Sequence, residues 1–255
     1  MTGPAPPRRG ALVVTGGGRG IGAAVARLAA ARGLDVAVNY LSDHAAAAEA
    51  VRDACASGVR ALAVAGDVAR EDDVLRLFAT AEAQLGPIGG LVNCAGVTGG
   101  FSRVEEVAAD TIARVLAVNV TGTILCAREA VRRMSTRRGG AGGAIVNVSS
   151  RAARLGGAGE WVHYAASKGA VDTFTVGLAR EVAAEGIRVN AVSPGLVDTG
   201  LHAVAGDPGR ARRLAPSIPM GRPGTTREVA EGVLWLLSPE SSYVTGAILD
   251  IAGGR

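Results

Sequence analysis

The chain has 255 residues, of which 48% are hydrophobic, 20% charged and only 3% aromatic, so the core of one α/β domain or of two average domains must be built mainly from Ala, Val, Leu and Ile. The net charge of +4 would admit nucleic acid, but the arginines are spread along the chain. They cluster only briefly, at Arg132–Arg133, Arg137–Arg138 and Arg210–Arg213, with no interleaved aromatic residues to form a stacking platform, so no nucleic-acid partner is expected. Cys55, Cys94 and Cys126 lack metal or redox spacing, and no apolar run reaches the ~18–20 residues of a bilayer span. Neither a metal site nor a membrane partner is expected, and a reducing, cytoplasmic location is.

Residues 1–9 read as a short disordered tail and residues 10–255 as a single domain. Short apolar, β-branched runs predict strands at Ala11–Thr15, Asp35–Asn39, Val59–Gly66, Gly90–Asn93, Ala144–Ser149, Arg188–Ser193 and Ala247–Asp250. Between them lie amphipathic stretches such as Gly20–Arg32, Asp43–Ser57, Glu71–Leu85 and Thr111–Arg138. Near-continuous apolar strands separated by helices predict a seven-stranded parallel sheet covered on both faces, the doubly wound α/β fold. Residues 200–224 are interrupted by Gly206, Pro208, Gly209, Pro216, Pro219, Gly221, Pro223 and Gly224. A stretch of that length is expected to be a mobile substrate lid over the carboxyl edge of the sheet, the alternative being an ordinary surface loop.

The first strand runs into Thr15-Gly16-Gly17-Gly18-Arg19-Gly20-Ile21-Gly22, and a helix follows. Gly16 permits the tight turn, Gly20 lets the backbone approach a pyrophosphate and Gly22 lets the helix pack on the strand. The helix then points free N–H groups at the anion. The second strand ends in Asn39-Tyr40-Leu41-Ser42, with no carboxylate to meet the adenosine ribose hydroxyls, and Arg19 stands near where a 2′-phosphate would lie. Both favour NADP(H), with NAD(H) as the alternative.

Tyr164 and Lys168 are spaced i and i+4 in a helical segment, which sets phenol and ammonium side by side. Lys168 is the only lysine, the other 26 of 27 basic residues being arginine, and a compact, tunable ammonium is what a guanidinium cannot replace. An adjacent cation, together with the positive nicotinamide of the oxidised cofactor, should lower the phenol from its usual pKa near 10 by roughly 2–3 units, about 3–4 kcal/mol. Ser150, fourteen residues before Tyr164, is the candidate hydroxyl for polarising a carbonyl, with Ser149 as fallback. Asn119 is a polar residue in an apolar helical stretch, which calls for a function or an internally satisfied kink. Gly157, Ala158, Trp161, Val162 and His163 are pocket candidates. Trp161 is equally a pocket wall or a core aromatic, a surface role is expected for His163, and His44 and His202 carry no spacing signal.

A glycine, three residues, a glycine, one residue and a glycine after a Thr, followed by Ser150, Tyr164 and Lys168, resembles the short-chain dehydrogenase/reductase family, from Gly10 to the end. Within it, the stretch Arg154 to Thr199 resembles bacterial glucose dehydrogenase-like and 3-oxoacyl reductase-like members. The resemblance implies reversible hydride transfer between a nicotinamide and a small-molecule carbonyl or secondary alcohol, with Tyr164 as general acid and base. The competing possibility is a non-catalytic NADP(H)-binding regulator or scaffold on the same fold. Asn119 would hold a water that links Lys168 to solvent. Asp67 and Val68 resemble the adenine contact. Asn93-Cys94-Ala95-Gly96 resembles a family turn whose second Asn is Cys94 here, making Asn93, Ala95 and Gly96 cofactor candidates. Ser193-Pro194-Gly195 with Val197 and Thr199 resembles the segment that holds the nicotinamide. The ending Tyr243-Val244-Thr245-Gly246 to Gly253-Gly254 resembles a strand that lies in a tetramer interface, implying a homotetramer or homodimer.

Overall fold

The computed structural model describes residues 10–200 and 206–255, so the tail 1–9, His202 and residues 201–205 of the anticipated lid lie outside the described residues. Strands β1 Ala11–Thr15, β2 Val36–Tyr40, β3 Ala61–Ala65, β4 Ile88–Asn93, β5 Gly143–Val148, β6 Ile187–Pro194 and β7 Ile248–Ile251 form one sheet. Its order is β3-β2-β1-β4-β5-β6-β7, and every pairing is parallel. Each anticipated strand is present within one or two residues at its ends.

The helices are α1 Gly20–Ala31, α2 His44–Cys55, α3 Glu71–Leu85, α4 Ala109–Leu116, α5 Thr123–Met134, α6 Ala152–Leu155, α7 Val162–Val182, α8 Arg210–Arg213 and α9 Thr226–Leu237. Strand alternation divides the core in two. Ala11 and Val13 face Leu77 and Phe78 of α3 and Cys126 and Ala130 of α5. Leu12 and Val14 face Val25 and Ala29 of α1 and Val229 and Val233 of α9. Such two-sided burial is why the strands are apolar at every position rather than at alternate ones. Chain order reverses between β1 and β4, and a crevice opens at the carboxyl ends of the strands there, where doubly wound folds bind ligands.

The stretch expected as one helix over Thr111–Arg138 is interrupted. A π-helical turn, Ala117–Gly122, joins α4 to α5 and carries Asn119. By length and composition alone Ala109–Met134 would reach across a bilayer. It packs on β4 and α3, with Cys126, Ala127, Ala130 and Met134 fully buried.

A polar chain crosses the interior beneath the crevice. Asn93 Nδ2 donates to Asn147 Oδ1 at 2.9 Å, and Asn147 Nδ2 donates to Thr175 Oγ1 at 2.9 Å. The Thr175 hydroxyl donates to the Val171 carbonyl at 2.8 Å. These bonds tie β4, β5 and α7 together where water cannot substitute, so losing one partner leaves the other desolvated. Thr175→Val, nearly isosteric, should lower unfolding free energy by about 1–3 kcal/mol in urea denaturation. A change under about 0.5 kcal/mol, the range of ordinary surface substitutions, would show that the network does not hold these elements.

Candidate active site

The crevice is a cleft of about 750 Å³ that runs from the glycine loop to the first turns of α7. At the loop, Gly16 has φ +61°, and a Cβ there would lie 2.9 Å from the Ala95 Cα. A Cβ on Gly22 would lie 2.3 Å from the Gly16 carbonyl oxygen, so this glycine sets the contact between helix and loop and stands behind the cleft, not in its wall. Gly20 has φ +57° with space above it. Arg19 supplies no side-chain cap to α1, and the first turn holds no carboxylate, so the amides of Gly20 and Ile21 keep their donors for an anion. A diphosphate fits that cradle by charge and by the space the missing side chains leave.

Thr15 fixes the far wall. Its hydroxyl oxygen accepts from the amides of Cys94 and Ala95, at 3.0 and 3.1 Å, holding the turn after β4 against the end of β1. Ala95 and Gly96 line the cleft, whereas Asn93 does not: its side chain turns inward to Asn147 and to the Thr123 carbonyl. The Asn93 side chain is therefore not offered to the cleft. It shares the inward face of β4 with Leu91, two residues before it. Burial pushes the Cys94 thiol up to about 11, which keeps it protonated.

Asn39 and Tyr40 line the adenosine end. The Asn39 amide donates to the Gly66 carbonyl at 2.9 Å, and the Tyr40 hydroxyl meets His44 Nδ1 at 2.9 Å. Asp67 and Val68 also line the cleft. The Asp67 carboxylate is already engaged, accepting from Arg114 Nη1 at 2.7 Å and from the Ala69 amide at 3.0 Å. Arg114, not anticipated from sequence, thus enters this wall.

Ser150, Tyr164 and Lys168 come together at the other end. Tyr164 is 7% exposed and Lys168 5%. Lys168 Nζ lies 5.7 Å from the centre of the Tyr164 ring and donates to the Val148 carbonyl at 2.7 Å. Ser150 faces the cleft, accepts from the Ala152 amide at 3.1 Å and hydrogen-bonds Tyr164. Ser149 also borders the cleft but is buried, and its hydroxyl donates to the Lys168 carbonyl at 3.4 Å. Asn119 is fully buried. Its Oδ1 accepts from the Val97 amide, and its Nδ2 donates to the Val97 carbonyl and to Ser167 Oγ, all at 2.9 Å. The side chain is thus committed to protein partners, and it is a wall fastener rather than a lone polar group in an apolar helix.

The protein groups around Tyr164 do not by themselves lower its pKa. Burial pushes the phenol up to about 12, against the pull of the Ser150 hydrogen bond. Burial also pulls Lys168 down from 10.5 to about 8, opposed by Cys94 and Asp172. Desolvation penalises the charged form of each.

Pro194, Gly195, Val197 and Thr199 follow β6 into the cleft. Gly157 and Trp161 line its outer end, and a Cβ on Gly157 would lie 2.5 Å from the indole. His163 is buried, its Nε2 2.9 Å from the Thr98 carbonyl, which corrects the surface role expected for it. Glu160 and Arg210, also cleft residues, had no spacing signal because they meet across 50 residues of sequence.

A family model described as enoyl-(acyl carrier protein) reductase matches residues 16–255. The chain is 51% identical to an uncharacterized oxidoreductase, YgfF, of Escherichia coli (strain K12), over 95% of this chain and 98% of that one. It is 43% identical to a cis-4-hydroxycyclohexanecarboxylate dehydrogenase of Sinomonas cyclohexanicum, over 95% and 94%. The crystal structure of a blue fluorescent protein from a metagenomic library, in complex with NADPH, superposes with a TM-score of 0.87 at 36% identity, covering 96% of this chain and 97% of that one. The chain belongs to the short-chain dehydrogenase/reductase family and is an oxidoreductase of that kind.

Proposed function

We propose that the chain interconverts a small ketone and its secondary alcohol with NADP(H), and that Tyr164 carries the proton. The observation that carries this reading is convergence. A buried phenol, hydrogen-bonded by Ser150 and backed by the only lysine, opens on the same cleft as an anion-binding glycine turn. When bound, the nicotinamide supplies or accepts the hydride and, oxidised, carries a positive charge that favours the phenolate.

In reduction, Tyr164 Oη donates its proton to the substrate carbonyl oxygen. The Ser150 hydroxyl donates a hydrogen bond to the same oxygen, while the Ala152 amide occupies a lone pair of Ser150 and helps orient it. Lys168, with a pKa of about 8, is matched to neutral conditions for returning a proton to the phenol. Asn119 acts on position, holding Val97 against α7 through Ser167. Tyr164→Phe keeps the ring and removes the proton. It should lower kcat by about 10²–10⁴-fold while leaving NADPH binding intact. Wild-type turnover in that variant would refute the assignment.

Arg19 supports the preference for NADP(H). It is exposed on the loop, lines the cleft and makes no ion pair among the described residues. Asp43, the carboxylate nearest to the end of β2 in sequence, is committed to capping α2 through the Ala46 amide at 3.0 Å. The NADPH-bound neighbour supports the same choice. Arg19→Ala should raise the Michaelis constant for NADPH by about tenfold and leave that for NADH nearly unchanged, as loss of a guanidinium–phosphate contact would. A wild-type preference for NADH would overturn the choice.

The position of Lys168 has a cost in stability. Below pH 8 the folded chain carries a buried ammonium, and above pH 10.5 the unfolded chain has lost that proton as well. Between these values the unfolded state binds more protons, so this residue's contribution to stability grows as pH rises from 8 to 10.5 and is lost as pH falls through 8. The drop from 10.5 to about 8 is worth roughly 3 kcal/mol at pH 7, and loss of the bond to Val148 returns about 1. Lys168→Met should therefore abolish turnover yet raise the unfolding midpoint at pH 7, with the gain shrinking toward pH 10. A midpoint lowered at pH 7 would count against the desolvation account.

A further inference from the structure

A second cluster in the cleft is not used by the proton transfer described above. Arg210 stands on α8, in the Gly- and Pro-rich stretch between β6 and α9, yet its side chain is only 6% exposed. An arginine this buried requires a partner, and Glu160 provides one: both terminal nitrogens meet the carboxylate, Nη1 to Oε1 at 2.7 Å. The guanidinium also lies close to two aromatic rings. Its central carbon lies 4.8 Å from the Trp161 ring centre and 5.2 Å from that of Phe101. The two rings stack on one another at 4.8 Å and 20°. Trp161 in turn rests on Tyr164, with ring centres 5.5 Å apart.

The contacts run in one line, from α8 through Arg210 to Trp161 and on to Tyr164. A second tie joins the same parts independently, the Ser102 amide donating to the Glu160 carbonyl at 2.7 Å. The indole is also confined by Gly157, where a Cβ would lie 2.5 Å from it. A guanidinium suits this place: two of its nitrogens pair with a carboxylate while its central carbon stays within cation–π distance of two rings, and a lysine ammonium offers no such two-point pairing.

We propose that Arg210 is a positioning residue of this oxidoreductase. It locks the Phe101–Trp161 wall against Tyr164 and, by the same contacts, fastens α8 across the substrate end of the cleft. The inference rests on Tyr164 as the proton carrier. It assigns Arg210 and Glu160 to substrate affinity rather than to cofactor binding, since the glycine loop and the adenosine end share no contact with them.

The test uses the full chain in a Trp235→Phe background, where Trp161 is the only tryptophan. Arg210→Met keeps the apolar stem and removes charge and plane. Acrylamide quenching of Trp161 emission should rise about threefold or more, from the shielding of a residue 8% exposed, and the unfolding midpoint should move by only a few degrees. NADPH affinity should be unchanged. For whichever ketone of a test panel is reduced fastest, KM should rise about tenfold with kcat falling less than about threefold, the split expected when affinity rather than chemistry is lost. Arg210→Lys should not restore either value, and Glu160→Gln should move both in the same direction as Arg210→Met. Unchanged quenching in Arg210→Met, or parallel losses of NADPH affinity, stability and kcat, would overturn the proposal. Failure of the proton-carrier reading is distinguishable: it would appear as full turnover in Tyr164→Phe, while the quenching result stands on its own.

Discussion

Withdrawal of the Tyr164–Lys168 pair from water is the constraint from which the rest of the site follows. In solvent a phenol and an amine would each keep a pKa near 10. In the cleft floor they part, to about 12 and about 8, because each charged form lacks water. The phenol is then a committed proton carrier, and the amine titrates near neutral pH. The phenol cannot become charged cheaply unless another charge enters the cleft, so its proton release is linked to what is bound there. Burial thus sets a gate on the chemistry as well as a cost to folding.

That arrangement holds only if the cleft walls do not relax around it. Three sets of polar contacts prevent this. Thr15 holds the turn after β4, Asn119 holds Val97 and Ser167, and the Asn93–Asn147–Thr175 chain joins β4 and β5 to α7. Each is buried and reciprocally satisfied, the condition under which polar groups in a core specify geometry rather than weaken it. The π-helical turn at Asn119 fits the same logic. Widening the helix by one residue per turn alters which side chains face α7, and such turns recur at functional sites.

Much of this was legible from local pattern. The strands announced themselves as short apolar runs and the glycine loop by its spacing, while Tyr164 and Lys168 share a face through the i to i+4 rule. What failed to show was direction and depth. The turn motif places Asn93 beside the cleft, while period-two alternation directs its side chain to the face of Leu91. His163 looked like a surface residue because α7 is buried on several sides, leaving no clear apolar stripe to mark its inner face. At Tyr164 the neighbouring cation is legible in the sequence, whereas the desolvation that raises the phenol is not. Arg210 and Glu160 meet across 50 positions, and no local rule joins them.

The single lysine takes on meaning in this setting. At most basic positions of this chain arginine serves, because exposed cations need only charge and hydrogen-bonding reach. Arg210 shows what a guanidinium does when buried: it stays charged and must be neutralised by a carboxylate. Position 168 has the Val148 carbonyl as its hydrogen-bond partner and no carboxylate in direct contact. An arginine there would hold a fixed charge in a dry site, whereas a lysine can give up its proton at about pH 8. One buried cation fastens a wall and the other can be discharged, and each amino acid stands where its proton affinity allows.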